Sequence, residues 1–357
     1  MQPKYQAIAS ELRSRILAGV YKDVKMLPTE HGLMNDFNAS RQTIRQALSV
    51  LVEEGYIYKR RGSGSYIRHA SESKPASQRR TVAVVTTYIS NYIFPSILRE
   101  IEDVLSRNDC VPQLFATNNR FSIERAILQN LLESQPDGII IEGTKTALPN
   151  PNLDLMRQLM DRKIPLVFIN GNYPQLRDAV AVLDDNEGGG KMLVEYLVSK
   201  GHRKIAGIFK FDDIQGHGRY AGYTEGLKSC GLLHDDDLVF WYSTASYQLM
   251  FSEHVISHFL NRWKAAGCTA IVCYNDEITC SILPYINKCG FSVPGDFSLV
   301  SFDNSYLSEI SSTPITSLSH GRENVGNVAA NKLLALMDGE NTYSESIPWE
   351  IIERSSS

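Results

Sequence analysis

The sequence predicts an α/β protein made of a small N-terminal winged helix-turn-helix and a larger, two-lobed, doubly wound sheet domain. Three observations carry this reading. Residues 1–68 contain three short helical stripes followed by two strands, residues 69–80 are polar and aperiodic, and residues 81–357 alternate short apolar runs with amphipathic helical stretches in two successive cycles. At 357 residues the chain also exceeds the size at which one hydrophobic core is usual.

Composition narrows the class. Hydrophobic residues make up 43% and charged residues 21%, an ordinary globular balance, and no apolar run is long enough to cross a bilayer. Met1 to Ser10 carries Lys4 but no apolar core followed by small residues, so no secretory signal is read and a cytoplasmic protein is expected. The cysteines, Cys110, Cys230, Cys268, Cys273, Cys280 and Cys289, form no CxxC pair. They read as small buried hydrophobes, and neither a metal nor a cofactor is expected. Charge is uneven: residues 1–70 hold 11 Lys+Arg against 6 Asp+Glu, leaving 25 against 34 for the remainder. The N-terminal end suits a polyanion and the rest does not.

In the N-terminal part, Lys4 to Gly19 places Ile8, Leu12 and Ile16 on one helical stripe, with Arg13 and Arg15 off it and Gly19 as a stop. Leu27-Pro28-Thr29-Glu30 is a capped start for a second helix through Leu33 and Met34 to about Phe37, after which Asn38 and Ala39 turn the chain. Ser40 caps a third helix whose Ile44, Ala47, Leu48, Leu51 and Val52 bury one face, with Gly55 ending it. That register leaves Ser40, Arg41, Gln42, Thr43 and Arg45 on or beside the exposed first turns, able to donate to phosphates and purine edges. Cations there oppose the helix macrodipole, which argues for a purpose other than stability. Tyr56-Ile57-Tyr58 and Ser65-Tyr66-Ile67 then form two strands joined by a basic tip. Gly62 and Gly64 permit positive φ and close approach, and Arg60 and Arg61 can meet phosphate or a narrow groove. Such a head binds double-stranded DNA.

The run from Leu27 to Ile67, with its Leu-Pro-Thr-Glu start, Ser-Arg-x-Thr-x-Arg segment and Gly-x-Gly wing, is similar to the GntR-type winged-helix repressors, over nearly all of residues 3–68. The resemblance implies DNA contacts for Arg41, Thr43 and Arg45, for Glu30 near the second helix, and for the wing around Gly62 and Gly64. Gln42 and Arg61 stand where members differ and tune operator preference. Ser40 and the opening Lys4 and Tyr5 complete the expected DNA-binding set.

From Thr81 onward, strands at Val82–Val85, Val111–Phe115, Gly138–Ile141 and Leu166–Ile169 alternate with helices at Ile97–Leu105, Ile123–Leu132 and Leu153–Met160. A second cycle follows: a helix from Glu187 to Lys200, strands Ile205–Phe209, Leu238–Tyr242, Ala270–Cys273 and Ser298–Phe302, and helices Arg219–Cys230 and His254–Ala266. Two cycles imply two lobes around a cleft, with ligand at the carboxyl ends of the strands. Those ends carry Tyr88, Glu142, Asn170, Asp184 to Asn186, His217 with Arg219, Asn275-Asp276, Asp303-Asn304 and His320. Planar Asp, Glu, Asn and Arg side chains each bridge two neighbouring hydroxyls, so the inventory suits a small neutral sugar. Loop Asp and Asn residues also cap helices; Asp185 reads as such a cap, and Asn186 or Asp276 can serve that purpose alone.

The segment from Val182 to Ile208, the Arg219-x-x-Gly222 step, and the runs around Asn275-Asp276 and Asp303-Asn304 are similar to the LacI/GalR-type, periplasmic-binding-protein-like effector domain, over essentially all of residues 81–355. The resemblance implies that Arg219 and Asp276 grip sugar hydroxyls. Glu142 and His320 are departures from the general pattern. The expected sugar set is Tyr88, Glu142, His217, Arg219, Asn275, Asp276, Asp303 and His320. A GntR-type head joined to such a sensor resembles the arabinose repressors of Gram-positive bacteria, which implies L-arabinose as inducer; the residues themselves support only a small neutral sugar. Because winged-helix repressors read inverted repeats, a homodimer is expected.

An enzyme is disfavoured, because there is no GxSxG elbow, no P-loop and no GxGxxG after the first strand, and Gly188-Gly189-Gly190 reads as a close-packing helix start. A transport-type binding protein would need a signal sequence and no winged helix. Repression rather than activation, and the response to this sugar rather than another, are what the resemblance implies.

Overall fold

A computed structural model describes residues 4–17, 20–21, 26–53, 56–60, 64–67, 79–176, 178–321 and 324–357. They form two compact units, Met1–Arg79 and Arg80–Ser357. Gly19, Gly55, Arg61, Gly62 and nearly all of the expected linker lie outside the described residues.

The head consists of α1 (Lys4–Leu17), α2 (Glu30–Phe37), α3 (Arg41–Glu53), β1 (Ile57–Arg60) and β2 (Gly64–Ile67). Ile8, Leu12, Leu33, Ile44, Leu48, Leu51 and Ile57 are buried together, the stripes of all three helices meeting the ribbon. Val52 is 37% exposed rather than part of that face, because at about 100° per residue it turns off the stripe that Leu48 and Leu51 define. The ribbon pairs antiparallel from Ile57↔Ile67 to Arg60↔Gly64. Met26 adds a bridge to Tyr66 on its other edge, which no periodicity could announce in a single residue.

The sensor has two six-stranded sheets. Lobe 1 holds β3 (Arg80–Thr86), α4 (Phe94–Arg107), β4 (Cys110–Ala116), α5 (Phe121–Ser134), β5 (Gly138–Glu142), α6 (Leu153–Asp161), β6 (Leu166–Ile169) and β7 (Val180–Asp184). Lobe 2 holds α7 (Asn186–Ser199), β8 (Ile205–Lys210), α8 (Ile214–Ser229), β9 (Val239–Tyr242), α9 (Tyr247–Met250), α10 (Glu253–Ala265), β10 (Ala270–Cys273), α11 (Asp276–Lys288), β11 (Ser298–Phe302), α12 (Tyr306–Ile310) and β12 (Thr316–Ser319). The chain then returns to lobe 1 for α13 (Val325–Met337) and β13 (Glu345–Ile347), and ends in lobe 2 as β14 (Glu350–Ile352). It therefore passes between lobes three times: after Asp184, after Ser319 and around Trp349.

The orders are β13-β7-β6-β5-β3-β4 and β14-β12-β11-β10-β8-β9, parallel except for β14. Parallel strands covered on both faces read as continuous apolar runs, and every residue of β5, β6, β10 and β11 is buried. The pleat sends alternate residues to opposite sides. Val82 and Ile140 pack under α4 and α13, while Ala83 and Ile141 pack under α5 and α6. Ile208 and Ile271 meet α10 and α11, while Phe209 and Val272 meet α7 and α8.

Helix α8 begins at Ile214, not at Arg219, under the cap of Asp213, whose side chain accepts from Gln215 N. Gly216, Gly218, Gly222 and Gly226 dilute the apolar period that would have marked it. Their role is close packing. A Cβ on Gly222 would sit 2.0 Å from the Glu187 carbonyl oxygen, and one on Gly190 would sit 2.3 Å from that of Arg219. Helix α11 was not apparent from the sequence because Pro284 interrupts its interior. Among the described residues no helix is long and apolar enough to cross a membrane.

Candidate DNA interface and ligand cavity

In the head, Ser40 caps α3: its Oγ accepts from Thr43 N at 3.2 Å and lies 2.8 Å from the Thr43 hydroxyl. Arg41 and Arg45, one turn apart, share a single carboxylate from the start of α2, with Nε at 2.9 Å and 3.0 Å from the Glu30 oxygens. Their side chains remain 65% and 57% exposed. Hydrogen bonds from Arg41 and then Arg45 hold the Glu30 carboxyl below the usual range. Glu30 thus orients both guanidiniums and offsets the charge they place at a helix N-terminus. Lys4 Nζ donates to the Asn38 carbonyl at 2.7 Å, at the left-handed corner between α2 and α3. Gln42 is exposed, Tyr5 packs half-buried against the head core, and Gly64 opens β2.

In the sensor, a cavity of about 390 Å³ lies between the lobes at the carboxyl ends of the strands. Lobe 1 contributes Tyr88, Tyr92, Asn119, Glu142 and Asn170; lobe 2 contributes Lys210, Asp213, Gln215, Tyr242, Tyr274, Asn275 and Asp303. Glu142 ends β5, where Thr87 N donates to Oε2 at 2.7 Å and Asn170 Nδ2 to Oε1 at 2.9 Å. Burial raises its carboxyl above the ordinary value against the pull of those donors. Lys210 ends β8, its Nζ 3.6 Å from Asp213 Oδ2. Burial works against its charge, and Asp213 and Asp212 outweigh burial, so its pKa is raised. Tyr274 donates to Asp213 at 2.9 Å, and Gln215 Nε2 to Asp184 at 2.9 Å. The lobes are clasped: Asn119 Nδ2 donates to Thr244 Oγ1 at 2.6 Å, Thr146 Oγ1 to Asp213 at 3.2 Å, and Tyr92 reaches Asp303. Carboxylates, amides and ammonium groups set among tyrosine rings can bridge paired hydroxyls while covering the C–H faces of a polyol.

Of the eight residues expected to touch sugar, Tyr88, Glu142, Asn275 and Asp303 line the cavity. Asn275 also caps α11, accepting from Ile278 N at 3.0 Å. Arg219 is buried beside the wall, 1% exposed. It donates to Asp303 Oδ1 at 3.1 Å, to Asn186 Oδ1 at 2.9 Å and to the Tyr274 carbonyl, with its guanidinium 4.2 Å from the centre of the Phe302 ring. Asp276, fully buried, is not among the lining residues: Ser305 N and Ser317 Oγ donate to it at 2.6 Å and 2.7 Å, with Ser301 as a further donor. Burial pushes its carboxyl up to about 6. His320 stands at the second crossing, Nε2 2.8 Å from Asp184 Oδ1 and its ring stacked on Trp349 with centroids 4.2 Å apart. His217 is exposed on α8, Nε2 2.7 Å from the Phe211 carbonyl oxygen. Residues two apart on a helix face different ways, so one helix cannot present both His217 and Arg219 to the same site. Asp185 is the cap of α7, accepting from Gly188 N at 3.0 Å.

Lys210, Asp213, Tyr274 and Tyr242 were not anticipated. Three had a readable signal, since Lys210 and Tyr242 end strands and Tyr274 directly precedes Asn275. Tyr92, in the turn before α4, had none.

Residues 4–67 match the bacterial regulatory proteins of the gntR family, and residues 194–357 match the periplasmic binding protein-like domain. The arabinose metabolism transcriptional repressor of Geobacillus stearothermophilus is 37% identical over 94% of this chain and 92% of its own length. That of Halalkalibacterium halodurans is 33% identical over 95% and 91%. The crystal structure of the transcription regulator CcpA of Lactococcus lactis covers 78% of this chain with all of its own, at a TM-score of 0.68 and 24% identity, and shares the fold of the sensor. The chain belongs to the family of arabinose metabolism transcriptional repressors, sugar-responsive DNA-binding regulators rather than enzymes, with a GntR-type head and a LacI-like sensor.

Proposed function

We propose that the protein is a cytoplasmic homodimer that represses its target genes by holding double-stranded operator DNA and releases it when L-arabinose closes the sensor. Arg41, Gln42, Thr43 and Arg45 make the DNA contacts, with Glu30 orienting the arginines and Lys4, Tyr5, Ser40, Arg61, Gly62 and Gly64 completing the interface. Tyr88, Glu142, Asn275 and Asp303 hold sugar hydroxyls, and Arg219 acts through Asp303. The observation that carries the reading is that Glu142 from one lobe and Lys210, Asp213 and Asp303 from the other line a single 390 Å³ cavity. A ligand held by both sets favours the closed form over any open one. Release then needs the sugar to prefer the closed form over the operator-competent form, by about 10⁴ for a near-complete switch. The name that the two relatives carry supports L-arabinose as the sugar.

Thermal unfolding across a panel of pentoses and hexoses tests the ligand, because a molecule that binds only the native state raises its melting temperature. L-arabinose is expected to give the largest rise and to weaken operator binding at saturation. Operator affinity unchanged at saturating L-arabinose overturns the scheme.

A further inference from the structure

Beside the ligand cavity lies a second one of about 280 Å³, lined by Ser96, Glu100, Ser305, His320 and Asn324 among others. The two cavities share three wall residues, Tyr92, Ile93 and Asp303. Tyr92 belongs to lobe 1 and Asp303 to lobe 2. The Tyr92 hydroxyl donates to Asp303 Oδ2 at 2.8 Å and accepts from Asp276 N at 3.2 Å, where α11 begins.

Both partners are held in the left-handed backbone region, Tyr92 at φ 57° and Asp303 at φ 91°. A bulky L-residue there is a genuine outlier that persists only where its surroundings over-determine it, and such residues concentrate at clamps and switches. Burial and the charges of Asp303 and Asp276 push the phenol well above its ordinary pKa, so it remains a donor.

The bond leads onward. Asp303 Oδ1 accepts from Arg219 Nη2 at 3.1 Å, and that nitrogen lies 3.7 Å from Asp184 Oδ2. Asp184 holds His320, and His320 stacks on Trp349. Asp184, His320 and Trp349 mark the first, second and third passages of the chain between lobes, so one connected set of side chains runs from the cleft to all three.

We propose that Tyr92 is the closure latch of the sensor, a positioning residue whose hydroxyl, by holding Asp303 across the cleft, fixes the closed form and ties it to the three crossings. Only the sugar arm of the test rests on the proposed function. In the full-length protein, distance probes introduced as labelled non-natural residues at the exposed positions Gln129 on α5 and His254 on α10 report lobe separation without any ligand. Tyr92→Phe keeps the ring and is expected to broaden the ligand-free distribution toward longer separations. It is also expected to weaken binding of the sugar that stabilises the wild type about tenfold, and to shrink the sugar-induced loss of operator affinity. Asp303→Asn reads the same bond from the other lobe, and supplies the distance measurement should Tyr92→Phe fail to fold. The double variant is expected to open by less than the sum of the two singles, since both weaken the shared Tyr92–Asp303 bond. Distributions that superimpose on wild type, or an additive opening in the double variant, overturn the latch. If no sugar binds the wild type, the proposed function fails while the ligand-free distances still decide the latch.

Discussion

Arg41 and Arg45 in the head and Arg219 in the sensor are the same side chain in opposite settings. The head pair shares one carboxylate, itself partly exposed, and stays more than half open to solvent. Arg219 is 1% exposed and answers to Asp303, Asp184, Asn186, a carbonyl and three aromatic rings. In the head the fold orients charge and leaves it for a partner. In the sensor the fold consumes charge internally, and any ligand is read through what that arginine holds in place. Loss of the first should register in binding, and loss of the second in folding.

The largest expected effect is therefore Arg219→Ala. It removes the guanidinium from between the buried carboxylates of Asp303 and Asp184, and breaking a buried pair from one side costs about 3–5 kcal/mol. The urea midpoint of the sensor transition should fall accordingly, with no sugar-induced stabilisation remaining. Next comes Arg45→Ala, which removes an exposed contact group and should weaken operator binding by about 1–3 kcal/mol, roughly five- to 150-fold. Anisotropy at one fixed salt concentration checks it, alongside an unchanged melting temperature and an unchanged sugar response. If Arg45→Ala instead abolished sugar binding, the contrast between the two regions would collapse.

The same contrast explains what could be read in advance. In the head, function sits on consecutive positions of one helix, so a cap at Ser40 and a 3.6-residue period suffice to expose Arg41 and Arg45. The sensor's central strands were equally legible, since fully buried parallel strands announce themselves as apolar runs, whereas β7 and β12 were read only through the polar residues at their ends and the three-residue β13 and β14 not at all. Its site was legible only to the level of strand ends. Glu142 stood out because it closes a wholly buried strand. Asn275 and Asp276 are neighbours, yet one lines the cavity and the other binds Ser301, Ser305 and Ser317, and that division depends on where α11 starts to within one residue. Tyr92 comes from a turn, where no period constrains which way a side chain faces.

One group in each region contributes to the pH dependence of stability, and the two contributions have opposite sign. Burial acts to lower the His320 pKa, and the hydrogen bond and charge of Asp184 outweigh it, so the folded value lies above the ordinary 6.5. A raised folded pKa contributes stability that is fully present below about 6.5 and lost as pH rises through the folded value. Relative to His320→Gln, the wild-type sensor should lose melting temperature on going alkaline from that point. Glu30 is lowered instead, so its contribution is present above the ordinary 4.5 and lost on acidification. Parallel pH profiles for wild type and His320→Gln would mean that the His320–Asp184 bond does not contribute to this pH dependence.

The smallest expected effect is the sharpest on geometry. His217 belongs to the same helix as Arg219, but its imidazole is exposed and, among the described residues, meets the Phe211 carbonyl oxygen and the edge of Trp241. His217→Ala should change stability by no more than about 0.5 kcal/mol, as for most exposed sites, and leave the sugar-induced rise in melting temperature unaltered. Because residues two apart cannot share a helical face, a lost sugar response in this variant would mean that α8 presents a different face to the cavity. Arg219 would then no longer lie behind Asp303, and the assignment of internal charge to the sensor would have to be redrawn from that helix outward.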